Sequence, residues 1–168
     1  MKLYLLRHGE AADRDDPQYP NDADRPLTPT GIRRTRALAR ALRRLDIEPD
    51  AIFSSPLVRA RETAEIVERG LRLQGRLELT EWLAPSGDVG KLMQRLDELQ
   101  PKPECILLVG HEPDLSRLIS LLCTGGPQLS LTLKKGGLCR LEIESLRAGR
   151  RAQLEWLLAP RWLGPIGR

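Results

Sequence analysis

His8 and His111 are the only imidazoles in the chain, and each stands at the end of a short apolar run. Leu3-Tyr4-Leu5-Leu6 leads into Arg7-His8-Gly9-Glu10, and Cys105-Ile106-Leu107-Leu108-Val109 leads into Gly110-His111-Glu112. Runs of this length and composition read as buried strands. In open parallel α/β sheets, ligands bind in the crevice beyond the carboxyl ends of the strands. Each histidine also adjoins a glycine, which lets a ligand approach the backbone closely. Two imidazoles at that edge, the first preceded by Arg7, suit chemistry on an anion, and phosphate is the obvious candidate.

Arg59 is the third element. Ser54-Ser55-Pro56-Leu57-Val58-Arg59 follows a second short apolar run and opens a helix. A helix amino terminus carries unpaired N–H groups and the positive end of the dipole, both favourable to phosphate. An arginine in its first turns adds a planar fork matched to phosphoryl oxygens. Thr63 shares the side of Arg59, whereas Arg61 is rotated away toward solvent or a carboxylate. A metal centre is the competing reading. Two histidines and scattered cysteines without ligand spacing make a poor zinc set, so neither metal nor cofactor is expected.

The elements that must position these residues alternate between strand and helix, which implies an α/β fold with a largely parallel sheet. Lys2 to Leu6 is the first strand, followed by a polar loop from Ala11 to Leu27. Thr28-Pro29 caps a helix to about Leu45 with a core stripe of Ile32, Leu38, Ala39, Leu42 and Leu45. Ala51-Ile52-Phe53 is the second strand, and Ser54-Ser55-Pro56 opens the next helix in the same way, stopping at Gly70. Leu77-Glu78-Leu79 is a weaker third strand. A helix carries Val89, Leu92, Met93, Leu96 and Leu99, and another starts near Pro113 after the Cys105–Val109 strand. Gly137 to Ile143 and Gln153 to Leu158 read as a closing hairpin with its turn at Ala148-Gly149.

At 168 residues the chain is expected to form one domain, residues 1–168, large enough to bury a core. No apolar run approaches membrane-spanning length, and the amino-terminal residues lack a signal-peptide pattern. Cys105, Cys123 and Cys139 are isolated within apolar runs and read as core residues in a reducing compartment, so a cytoplasmic setting is expected. The net charge of +4 is modest. Arg33, Arg34, Arg36, Arg40, Arg43 and Arg44 cluster on one helix, where a nucleic-acid or acidic-protein patch competes with a simple solvated face. No aromatic residues are interleaved there to stack on bases, so neither nucleic acid nor membrane is an expected partner.

L-R-H-G-E, R-P-L-T-P-T-G, S-S-P-L-V-R-A-R-E-T-A and V-G-H-E-P-D-L, in that order, resemble the motifs of the histidine phosphatase superfamily, the group with the phosphoglycerate-mutase-like fold. The compact length, the L-A-P-S-G-D loop, the L-K-K-G-G segment and the closing W-L-L-A-P-R-W-L resemble its small SixA-type branch, the phosphohistidine phosphatases. The resemblance covers essentially the whole chain. It implies a three-layer fold, a mostly parallel sheet flanked by helices, with a carboxy-terminal hairpin. It also implies a metal-independent phosphatase in which His8 is the nucleophile and Arg7, Arg59 and a protonated His111 ring the phosphoryl group.

Two further residues come from the same resemblance. Glu81 is the candidate general acid by position after the third strand, and Arg25, in the R-P-L-T segment, is a candidate for the pocket rim. The expected substrate is a phosphorylated histidine protein, such as a phosphotransfer domain in signal transduction. The alternative is a broad phosphatase of small esters. A mutase would need to shield its intermediate from water, and no insertion suggests a lid. A non-catalytic module that binds through the basic helix is the reading from a different class.

Overall fold

Alternation along the first strand decides how the layers form. The computed structural model describes residues 1–144 and 152–166, and β1 spans Lys2–Arg7. Leu3 and Leu5 enter a core cluster with Phe53, Leu92, Leu96, Leu115 and Ile119. Tyr4 and Leu6 enter a second cluster with Leu38, Leu42, Ala60, Ala64 and Val67. Both faces of the strand are therefore covered, as a period of two with apolar residues at every position requires.

The helices divide accordingly. α1 (Pro29–Arg44) and α2 (Val58–Leu71) lie on the Tyr4 face, and α3 (Val89–Asp97) and α4 (Asp114–Thr124) on the Leu3 face. Between them run β2 (Ala51–Ser54), β3 (Leu77–Leu79), β4 (Cys105–Gly110), β5 (Leu138–Ile143) and β6 (Ala152–Leu158). The sheet order is β3-β2-β4-β1-β5-β6. The first four strands in that order pair in parallel, while β5 pairs antiparallel with both β1 and β6. The three-layer, mostly parallel architecture and the antiparallel closing pair match expectation. The turn assigned to Ala148-Gly149 lies outside the described residues.

The local signals held at α1 and failed at α2. Thr28 accepts a hydrogen bond from Gly31 N at 3.0 Å, and Pro29 is the first helical residue. Leu45 ends outside the apolar stripe, 42 % exposed, because α1 stops one residue before it. Ser54 belongs to β2, and α2 begins at Val58 behind an uncapped Leu57. Gly70 does not stop α2, which continues to Leu71 with Arg72 in the left-handed region at φ 61°. A Cβ at Gly70 would strike Ala39, so this glycine lets α2 pack closely on α1. A last helix, α5 (Pro160–Ile166), was not anticipated from the sequence; its Leu163 is buried on the α1 side.

Candidate active site

Register brings the two histidines together. β1 and β4 are parallel neighbours in which Arg7 pairs with Gly110, so the next residues, His8 and His111, emerge side by side. His8 N donates to Gly110 O at 3.1 Å, extending the ladder one step, and the ring centroids are 5.0 Å apart. The chain leaves β1 for β2 on one side and leaves β4 for β5 on the other. The histidines thus stand at the switch point of the sheet, where a crevice opens.

That crevice has a volume of about 770 Å³ and is lined by Arg7, His8, Asp22, Arg25, Arg59 and His111. Exposed side chains of Asp13, Arg14, Asp15, Pro85 and Lys135 form its rim. His8 Nδ1 lies 2.8 Å from Gly9 O, a partner that can only accept. Nδ1 therefore carries the proton and Nε2 keeps a free lone pair. Burial lowers the His8 pKa to about 3; the Gly9 carbonyl opposes this, and the charges of His111, Arg59 and Arg7 add to it. His8 is neutral at ordinary pH.

The charge of His111 in the free protein is set by its surroundings. Burial first, then Arg59 and Arg7, bring its pKa down to about 4, against the opposing charge of Asp22. In the free protein it is a neutral imidazole, not an imidazolium, because burial disfavours the charge and the same arginines that suit an anion repel a third cation. Its Nε2 is 2.8 Å from Ser55 Oγ. Among the described residues, four buried side-chain nitrogens have no partner, and three belong to this cleft: Arg7 Nε, Arg59 Nε and His111 Nδ1. A buried donor without a partner is costly unless a ligand or water meets it.

The arginines are braced from behind. Arg7 Nη1 donates to Leu133 O at 2.8 Å, while Leu133 N donates to Glu112 Oε1 at 2.8 Å. Arg59 gives Nη1 to Asp22 O at 2.6 Å and Nη2 to Asp22 Oδ2 at 2.8 Å. Arg25 reaches the cleft wall, but Asp22 Oδ1 takes its Nε at 3.0 Å and its Nη2 at 2.6 Å. Ala12 O takes its Nη1 at 2.6 Å. Every nitrogen of Arg25 already has a partner, so here it fixes the loop that carries Asp22. Burial pushes the Asp22 carboxyl up, but the hydrogen bonds and charges of Arg25 and Arg59 outweigh it and hold the carboxyl below its ordinary range.

Glu81 is exposed in a short 3-10 turn, Glu81–Leu83, and is not among the residues lining the cleft. Arg61 is turned away as expected, 3.7 Å from Glu65. Sequence reasoning placed Thr63 on the side of Arg59 but missed Asp22, Ser55 and the bonds of Thr63, whose Oγ1 donates to Arg59 O at 2.7 Å and accepts from Gly9 N at 3.0 Å. One hydroxyl thus ties the Arg59 helix to the His8 loop. Gly31 tightens the same loop, since a Cβ there would collide with Glu10 O. Among the described residues, no three His, Cys, Asp or Glu side chains group to hold a metal ion, and no helix is long and apolar enough to cross a membrane.

Comparison with known proteins agrees with this geometry. Residues 3–88 match the model of the histidine phosphatase superfamily (branch 1). An uncharacterized protein of Picosynechococcus sp. PCC 7002 is 39 % identical over 98 % of this chain and 100 % of its own. Phosphohistidine phosphatase SixA of Escherichia coli K12 is 32 % identical over 74 % of this chain and 76 % of its own. The structure of the protein histidine phosphatase SixA complexed with tungstate superposes with a TM-score of 0.82, covering 97 % of this chain and 99 % of that one at 27 % identity. The chain belongs to the histidine phosphatase superfamily, branch 1, and is a phosphatase of that metal-independent family.

Proposed function

We propose that the protein removes phosphate from a phosphorylated histidine carried on another protein, through a phospho-His8 intermediate. The observation that carries this reading is the side-by-side pair His8 and His111 in one cleft with Arg7 and Arg59. His8 Nε2, neutral and free, attacks phosphorus. The substrate P–N bond breaks with its electron pair going to the leaving imidazole nitrogen, which takes a proton from solvent. Water then attacks phospho-His8, releasing inorganic phosphate and regenerating the neutral imidazole. Arg7, Arg59 and His111 donate to the equatorial oxygens, and the work of the site is positioning and electrostatics.

The leaving group suits the acid–base inventory. Asp22 is held ionised by two arginines and is a poor proton donor, Glu112 has its two oxygens engaged by Ser116 Oγ and Leu133 N, and Glu81 stands outside the lining. An imidazole needs no strong acid to depart, whereas an alkoxide does. The exposed rim fits a phosphate borne on a protein surface, and the SixA relatives are named for that chemistry. The second reading is a small-molecule phosphatase. It draws on a 37 % identity over 48 % of the chain with the adenosylcobalamin/alpha-ribazole phosphatase of Escherichia coli K12. Side-by-side turnover of a phosphorylated histidine protein and of small phosphate esters decides between them. Faster release from the esters would overturn the proposal.

A further inference from the structure

The hydroxyl of Ser55 has two neighbours whose demands fix its proton. Ser55 is fully buried at the end of β2, where its N donates to Val109 O at 3.0 Å. Its Oγ accepts from Leu57 N at 3.2 Å and lies 2.8 Å from His111 Nε2. A hydroxyl has one proton and two acceptor sites. If His111 Nε2 donated to Oγ, the Ser55 proton would be buried with no acceptor, since Leu57 N and His111 Nε2 are its only hydrogen-bond partners among the described residues. If Ser55 donates to Nε2, its proton is used, and the Leu57 bond takes one of its acceptor sites. The first arrangement strands both the Ser55 proton and the Nδ1 lone pair, whereas the second leaves a single unpaired group, an N–H on a ring that lines the cleft, where a phosphoryl oxygen can accept from it. The second arrangement thus puts the mobile proton of neutral His111 on Nδ1, the nitrogen that has no partner in the protein.

We propose that Ser55 is a positioning residue that locks His111 as the neutral Nδ1–H tautomer, so that His111 serves the phosphoryl group as an uncharged hydrogen-bond donor. This rests on the phosphatase reading of the cleft but on neither choice of substrate. Donation into the Nε2 lone pair opposes protonation at that nitrogen, in keeping with the arginines around the ring. His111 is then a partner to phosphoryl oxygens that adds no third full positive charge beside Arg7 and Arg59. The arrangement comes directly from topology, because β2 neighbours β4 and its last residues run beside Val109-Gly110-His111.

The test is the tautomer itself, read by long-range proton–nitrogen NMR on histidine-labelled protein at neutral pH without substrate. The chain's two histidines are assigned with His8→Ala. His111 is expected with Nδ1 protonated and Nε2 bare. In Ser55→Ala the Nε2–H form should appear while the His8 signals stay in place. Turnover of phosphoramidate should fall about tenfold, less than the roughly 10²–10³ seen on deleting a prearranged donor outright. Ser55→Thr should restore both. An Nε2–H tautomer in the unmodified chain overturns the proposal, as does a Ser55→Ala protein whose tautomer or turnover is unchanged. The NMR arm uses no substrate, so it stands or falls separately from the choice between phosphohistidine and ester.

Discussion

Asp22 grips Arg59 twice, once through its backbone carbonyl at 2.6 Å and once through its carboxylate at 2.8 Å. The same carboxylate accepts from Arg25. A single acid from a polar loop therefore aims two buried arginines and offsets one of their two charges. Asp22→Ala should lower stability by about 1–3 kcal/mol, below the cost of breaking a fully buried pair because Asp22 is itself 40 % exposed. Catalytic turnover should fall further than thermal stability explains, as Arg59 loses its set geometry. Unfolding curves and kcat measured on the same preparations check this; unchanged values in both would remove Asp22 from the site.

Both histidines should titrate far below the usual range, near pH 3 for His8 and near pH 4 for His111, against an ordinary 6.5. Between those values and 6.5, the unfolded chain takes up protons that the folded one does not. Stability is therefore full above about pH 6.5 and declines as the pH falls, by up to about 1.4 kcal/mol per unit for each histidine. Carbon-shift titration of the two imidazoles reads this directly. A His111 still charged at pH 6 would contradict it.

Tungstate is a tetrahedral oxyanion, and its charge should reverse part of the His111 shift. Added to the free protein, it should raise the His111 pKa, because an anion among Arg7, Arg59 and His111 stabilises the imidazolium. No change at saturating tungstate would mean that the anion does not sit beside that ring.

Exhaustive EDTA treatment should leave turnover intact, since Arg7 and Arg59 already supply the positive charge at the reacting group. Activity lost to chelation and restored by zinc or magnesium would overturn the mechanism.

Glu81→Gln should change the rate on phosphohistidine by less than about tenfold, well below the 10²–10⁴ of a true general acid. A severe loss on both phosphohistidine and an alkyl ester would bring Glu81 into the chemistry, despite its exposed place outside the cleft lining.

The layers, the strand that delivers each histidine and the helix carrying Arg59 were legible because each rests on a local period or motif. The apolar runs at Leu3–Leu6 and Cys105–Val109 have no other good reading than buried strands. What could not be read were partners that depend on register. Nothing in type or spacing sets Asp22 apart from Asp13, Asp15, Asp16 and Asp24 in the same loop. Ser55 looked like a helix cap because serine before proline usually is one; only the pairing of β2 with β4 turns its hydroxyl to His111. The charge of His111 in the free protein was illegible for a related reason. A sequence shows which cations exist, and only the fold shows that they crowd one buried ring.

The central claim is that His8 takes the phosphoryl group, and the direct measurement is the phosphoenzyme. Brief incubation with a phosphorylated histidine protein, rapid alkaline quench and peptide mapping should place an acid-labile phosphate on His8. His8→Ala should show neither label nor turnover while keeping its fold. Label on a serine or on His111, or full activity in His8→Ala, would contradict the account.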